Sequence, residues 1–481
     1  MKFDVLSTKD MDMVHEKSLE ILSRAGIQVT SLKILDMMEK AGCEVCREKS
    51  IIKFPAKLIE DCLELAPRKF MLGSLDGKHD MHLGEGNIYI ATDGQGCFAK
   101  DMETGESRDS TMKDLTDAAR IAESLDYLSC FWPIVTAGDV PQGSRCLHEI
   151  VEIWKVSNKH ITADCFNETQ AEFYMEILAE ILGGREEIPK RNILSVCCCP
   201  ITPLIFDAPM LEGTIKLGEC GVPVLLLPMP ITGTTSPMSL ISTVIQNNVE
   251  NLAGLAILQT AHPGRPVIYG SAPGILDMST GLFCVAAPEG VLQNTACAQM
   301  ARERYGLPNE ICLGGADAHV PGIQTATERT LGILSAYLSG SDIICGVGLT
   351  GTAQYLHKEE LIIAEDIVGF CKRVAEGMRT EEVHTLTERV IEIGHGGNFL
   401  SEKSTVKYLR NGEHYMPKVF CRESADGWKK SPKKDIVEYA KSKVNELLCK
   451  PPIENFNSEQ VERLNLILAN ADAALEDKQR E

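Results

Sequence analysis

Asn192-Ile193-Leu194-Ser195-Val196-Cys197-Cys198-Cys199 is an apolar, β-prone run. A helix-period segment over 209–220 follows it, and a second apolar run occupies 223–229. A short run, a loop, an amphipathic stretch and another short run make a βα unit, whose crossover leaves the two strands parallel. The same rhythm extends in both directions. Upstream lie runs at 128–137 and 160–165; downstream lie 266–271, 310–313 and 341–347, with helix-period intervals at 170–182, 240–261, 290–305 and 324–338. Seven units at centre spacings of roughly 30 to 45 residues predict an α/β fold, a TIM (β/α)8 barrel. The pattern does not place the eighth strand, and an open doubly wound sheet is the alternative.

Outside this core the rhythm changes. Residues 1–110 read as an N-terminal cap: helical spacing over 10–25 and 31–42, a helix opened by Pro55, and from 69 to 110 a period of two, with Ile88, Ile90 and Thr92 alternating. That last part predicts a small antiparallel β element. Residues 111–372 form the barrel core, and 373–481 a helical, charged C-terminal extension folding back on it.

The chain has 481 residues, with 48 Lys and Arg against 68 Asp and Glu, a net charge of −20. Such a balance excludes phosphate-backbone binding and adsorption to an anionic membrane as leading functions. No apolar run approaches the ~20 residues of a membrane span, and Met1-Lys2-Phe3-Asp4 opens no signal peptide. With 18 cysteines, the chain reads as a cytoplasmic protein with reduced thiols.

In a barrel of parallel strands, chemistry sits just past the carboxyl ends of the strands. Aromatics are only 5% of the chain, yet Phe131, Trp132, Phe166 and Tyr269 lie at or near such ends. Aromatic faces attract desolvated cations by roughly 0.5 to 2 kcal/mol each. The competing reading is packing under the helices. Gly346, Gly348 and Gly351 match G-x-G-x-x-G without a well-placed acidic partner, a weak dinucleotide signal. Cys197-Cys198-Cys199 and Cys43-x-x-Cys46 invite a zinc reading, but no second ligand pair lies at matching spacing, so no metal ligands are assigned. No nucleophile elbow, metalloprotease helix or Walker loop is present. The site has no nucleophile of its own.

Three segments carry a family likeness: 104–111 (Thr104-Gly105-Glu106-Ser107-Arg108-Asp109-Ser110-Thr111), 229–237 (Met229-Pro230-Ile231-Thr232-Gly233-Thr234-Thr235-Ser236-Pro237) and Gly397-Asn398-Phe399-Leu400. Together they resemble the trimethylamine:corrinoid methyltransferase superfamily over nearly the whole chain. The resemblance implies a barrel that moves a methyl group from a methylated amine to the cobalt of a separate corrinoid protein. No cofactor is then bound permanently: the corrinoid, a cobalamin, comes with its partner. Trimethylamine members carry pyrrolysine, whereas the comparable stretch here, 317–325, holds standard residues only. The likeness is therefore to the non-pyrrolysine branch, whose substrates are quaternary amines such as glycine betaine, proline betaine and carnitine. The tail departs from the family: a His-rich run is replaced by Ser404-Thr405-Val406-Lys407-Tyr408-Leu409-Arg410.

A quaternary ammonium already has a neutral leaving group, so positioning replaces acid–base work and no catalytic residue is assigned. Phe131, Trp132, Phe166 and Tyr269 are the expected head-group contacts, with Tyr355 and Asp164 beside them; His319, His357, Asn167 and Gln324 are the expected carboxylate contacts. A homo-oligomer is implied by the resemblance alone. The other classes are a zinc-thiolate methyltransferase or decarboxylase barrel, and a non-catalytic betaine-binding or corrinoid-docking module.

Overall fold

The computed structural model describes residues 2–478. Eight parallel strands close into a barrel: β1 Tyr89–Thr92, β2 Leu128–Phe131, β3 His160–Asp164, β4 Leu194–Cys198, β5 Val224–Leu226, β6 Val267–Ser271, β7 Asn309–Cys312 and β8 Ile343–Val347. Their spatial order is their chain order. Closure comes from β8 pairing with β1, Ile344 opposite Ile90, and from β1 pairing with β2, Ala91 opposite Cys130. A helix follows each strand: α1 Met112–Glu123, α2 Arg145–Val156, α3 Glu168–Leu182, α4 Ala208–Leu217, α5 Leu240–Ala261, α6 Pro288–Gln299, α7 Ile323–Ser339 and α8 Lys358–Ala375.

The eighth strand missing from the sequence pattern is the first in the chain. The alternation around Ile90 belongs to a parallel barrel strand, not to an antiparallel element. Two antiparallel pairs do flank it, Phe70–Leu72 with Met81–Leu83 and Phe98–Lys100 with Ser107–Asp109, so one signal covered two kinds of pairing.

Alternation along each strand divides the apolar residues into two clusters. Ile90, Ile161, Ala163, Val196, Val224, Leu226 and Ile311 face the helices. Ala91, Cys130, Trp132, Cys197, Leu225, Leu227, Ile268 and Cys345 face the lumen, where Leu72, Met81 and Leu83 join them. These last three come from the Phe70–Leu83 hairpin, which plugs the amino ends of the strands: Gly73 N donates to Asn192 O at 3.0 Å, and its own carbonyl meets His160 Nδ1 at 2.9 Å. Burial pushes the His160 ring down to about 4, so it is neutral and its Nε2 bonds Ser195 Oγ at 2.9 Å. The hairpin thus closes the lumen at the amino ends of the strands.

The N-terminal helices Thr8–Arg24 and Ala56–Leu65 lean on α5; Asn248 of α5 donates to Ser18 Oγ at 2.8 Å. At the other terminus the helix Ser458–Lys478 crosses α2 and α3 near the barrel mouth. Its Asp472 accepts from Ser144 Oγ and from His148 Nε2, the latter at 2.9 Å. Among the described residues no helix is long and apolar enough to cross a membrane.

Candidate functional site

The carboxyl end of β3 delivers Asp164 to the lumen side of the mouth, because it shares a face with Thr162. Gln95, on the loop after β1, turns back with a positive φ of 65° and donates its amide to Asp164 Oδ2. Trp132 follows β2. Its backbone N–H donates to Thr92 Oγ1 at 2.8 Å, and that hydroxyl donates to Trp132 O at 2.8 Å, which fixes the indole beside Asp164. Gly94 permits this closeness: a Cβ there would stand 2.7 Å from the indole. Burial pushes the Asp164 carboxyl up to about 6; Trp132 and Gln95 favour its ionised form, although the indole Nε1–H lies outside hydrogen-bond geometry. No cationic side chain of the described residues pairs with Asp164.

Two further acids mark the same lumen. Glu310, 1% exposed, has no hydrogen-bond partner on either carboxylate oxygen among the described residues, and burial pushes it up to about 7. Burial likewise lifts Asp93 to about 6. Around them stand thiols: Cys197 and Cys199 are 3.4 Å apart at sulfur, Cys130 lies 3.4 Å from Thr162 Oγ1, and burial pushes Cys130 up to about 12. The Cys130 thiol stays protonated and poorly nucleophilic. Among the described residues no group of three or more His, Cys, Asp or Glu is arranged to hold a metal ion. The lumen collects carboxyl groups without supplying their countercharge.

Beside Gln95 opens a cavity of about 440 Å³, walled by Arg145, Glu149, Phe166, Asn167 and, from the C-terminal helix, Leu475. Phe166 is 44% exposed there. A larger cavity of about 730 Å³ lies between the Thr8–Arg24 helix and α5, lined by Ile21, Leu204 and Ile245, away from the lumen acids.

The expected site residues separate into groups. Trp132 and Asp164 converge at the mouth, and Phe166 and Asn167 line the adjoining cavity, with Asn167 Oδ1 capping α3 through Gln170 N at 2.9 Å. Phe131 and Tyr269 require correction. Both point outward into the helix-facing core, and Tyr269 Oη donates to Asn248 Oδ1 on α5 at 3.0 Å. A strand end offers two faces, and only Trp132, one residue on from Phe131, is on the inner one.

Tyr355 sits on a small side sheet, stacked on Phe98 at 5.7 Å, edge-on to His319 at 6.0 Å, with Lys100 Nζ 4.8 Å over its ring. That ring face already holds a cation. His357 Nε2 lies 3.3 Å from His319 O, and Gln324 is exposed and donates to Glu328 Oε1 at 2.7 Å, so neither His357 nor Gln324 joins the lumen groups. The glycines of the G-x-G-x-x-G run serve packing: a Cβ on Gly348 would meet Ile134 and Leu361 at 2.7 Å, and buried Arg329 takes the carbonyls of Gly314 and Gly346 while pairing with Glu360 at 3.2 Å.

Sequence reasoning missed Gln95, Arg145 and Glu310. Glu310 had a signal, a carboxylate inside an apolar strand; the other two lie in a loop and on the first turn of a helix.

A family model described as trimethylamine methyltransferase matches residues 1–473. A trimethylamine methyltransferase of Methanosarcina barkeri is 30% identical over 485 residues, covering 98% of this chain and 96% of that protein. A glycine betaine methyltransferase of Desulfitobacterium hafniense is 27% identical, covering 89% of each. Among solved structures, the monomethylamine methyltransferase of Methanosarcina barkeri superposes with a TM-score of 0.54 at 12% identity, covering 93% of this chain and 89% of that one, a likeness of fold.

Proposed function

Because this chain belongs to the trimethylamine methyltransferase family and is a methyltransferase, we propose that it moves a methyl group from a quaternary amine to the cobalt(I) of a separate corrinoid protein. Glycine betaine, proline betaine and carnitine are the substrate type. The observation that carries this reading is Asp164, a buried carboxylate with only neutral partners, Gln95 and Trp132, at the carboxyl end of β3. A quaternary ammonium supplies the missing charge and cannot itself donate a hydrogen bond, which suits an aromatic face and a carboxylate better than carbonyl acceptors.

The chain's residues then act by placement. Asp164 and the Trp132 face hold the head group, the Thr92 hydroxyl fixes the indole, and the Cys- and Leu-lined lumen keeps water away from the reacting methyl. The docked corrinoid supplies a strongly nucleophilic reduced metal. No proton is needed as the C–N bond breaks, because the amine leaves neutral. The standard residues at 317–325 support a quaternary over a tertiary amine, whose departure requires activation.

Docking of the carrier is supported by exposed apolar side chains past the strand ends: Ile201 after β4, Met229 and Met238 after β5, Met278 and Leu282 after β6, and Ile323 at the start of α7. A cytoplasmic setting is supported by 18 cysteines that are all free. Mixing the protein with reduced corrinoid protein and a panel of betaines tests the reading. Growth of the methylated corrinoid's absorbance with at least one betaine is expected; turnover of trimethylamine alone overturns it.

A further inference from the structure

Arg145 is an expensive residue where it stands. It opens α2, so its positive charge faces the positive end of the helix dipole, and its Nε is buried without a hydrogen-bond partner. Among the described residues no ion pair or side-chain hydrogen bond engages its guanidinium, in a chain with 68 acidic residues against 48 basic ones. The one carboxylate close to it in charge, Glu149, is turned to the backbone, accepting from Ala137 N at 2.8 Å. Burial pushes Glu149 up to about 7, so near neutral pH it is partly protonated and offers a donor, not a full negative charge.

Both groups wall the 440 Å³ cavity that begins at Gln95, the residue whose amide holds Asp164. Asn167 adds an amide N–H group, since its Oδ1 alone is used for the helix cap. Asp164 lies behind Gln95 at one side of this space, near enough for its charge to act on Glu149, and the Arg145 guanidinium stands in the wall itself without an anion. We propose that Arg145, assisted by Glu149 and Asn167, anchors the carboxylate of a zwitterionic quaternary ammonium substrate whose head group lies against Asp164 and Trp132. The inference rests on the head-group reading above and names the residue that selects betaines over quaternary amines lacking a carboxylate. A guanidinium fork accepts a carboxylate with two parallel hydrogen bonds, so substitution by lysine is not conservative here.

The test compares glycine betaine with tetramethylammonium, which share the methylated head and differ in the carboxylate, by calorimetric binding to the full chain and by methyl transfer to reduced corrinoid protein. The wild type is expected to bind glycine betaine at least tenfold more tightly. Arg145→Met is expected to shrink that ratio about tenfold or more, with Arg145→Lys between the two. An unchanged ratio in Arg145→Met overturns the anchor. If that variant fails to fold, Arg145→Lys decides: a reduced ratio supports the anchor and an equal one overturns it. Equal handling of both probes by the wild type removes the anchor and leaves the head-group site standing. Binding and transfer of neither probe removes both.

Discussion

Gln95 donates its side-chain amide to Oδ2 of Asp164, tying the loop after β1 to the carboxyl end of β3 across the barrel mouth. The bond leaves the carboxylate ionisable yet uncompensated, since an amide offers a dipole and no charge.

Asp164→Asn keeps the shape and removes the charge. Burial holds the Asp164 carboxyl near 6, so a quaternary head group loses its countercharge as pH falls through that value. Calorimetry with tetramethylammonium is expected to give about tenfold weaker binding at about pH 5 than at about pH 7.5 in the wild type. In Asp164→Asn the affinity is low at both, and a pH dependence as steep as the wild type's in that variant rules the assignment out.

Gly94→Ala drives a Cβ to within 2.7 Å of the Trp132 ring. The indole is buried and pinned through Thr92, so strain of about 1 to 3 kcal/mol is expected, read as a lowered midpoint in thermal unfolding. Substrate KM is expected to rise with it. A variant that unfolds like the wild type and keeps its KM contradicts the close packing.

Glu310 has a folded pKa raised by burial to about 7 against an ordinary 4.5. Between those values the native state holds the extra proton, so this group's contribution to stability falls as pH rises from about 4.5 to about 7 and is flat above, a loss on the order of 3 kcal/mol. Denaturant unfolding of Glu310→Gln across that window is expected to show a shallower decline than the wild type. Identical pH slopes would refute the buried orphan acid.

Tyr269→Phe separates packing from binding. The change deletes the hydroxyl that donates to Asn248 and accepts from Asn247, and a loss of about 1 to 2 kcal/mol in unfolding is expected. The KM for a betaine is expected to stay within about twofold of wild type. A larger KM change restores Tyr269 to the substrate site.

Much of the barrel was legible because seven of its strands are continuous apolar runs separated by amphipathic helices. β1 escaped because its four residues, Tyr89–Thr92, are short and lie between turn-rich segments that pair antiparallel. Trp132, Asp164 and Phe166 stand out in the sequence because they directly follow strand runs. Phe131 and Trp132 were not separable, since the side of the sheet each faces depends on register, which only closure of the barrel fixes. His319 and His357 also follow strand runs, but the sequence does not show that His357 Nε2 lies against His319 O or that the His319 ring packs edge-on to Tyr355. Arg145 left no trace in the pattern, being one of many charged residues on a helix and unusual only in its lack of company.

The helix Ser458–Lys478 supplies Leu475 to the cavity wall and Asp472 to Ser144 and His148, while the facing wall is built from residues near 95, 145 and 166. Segments far apart in the chain therefore meet at one recess. Without that helix the recess lacks its Leu475 wall, so a chain cut before Ser458 is expected to retain its zwitterion less well.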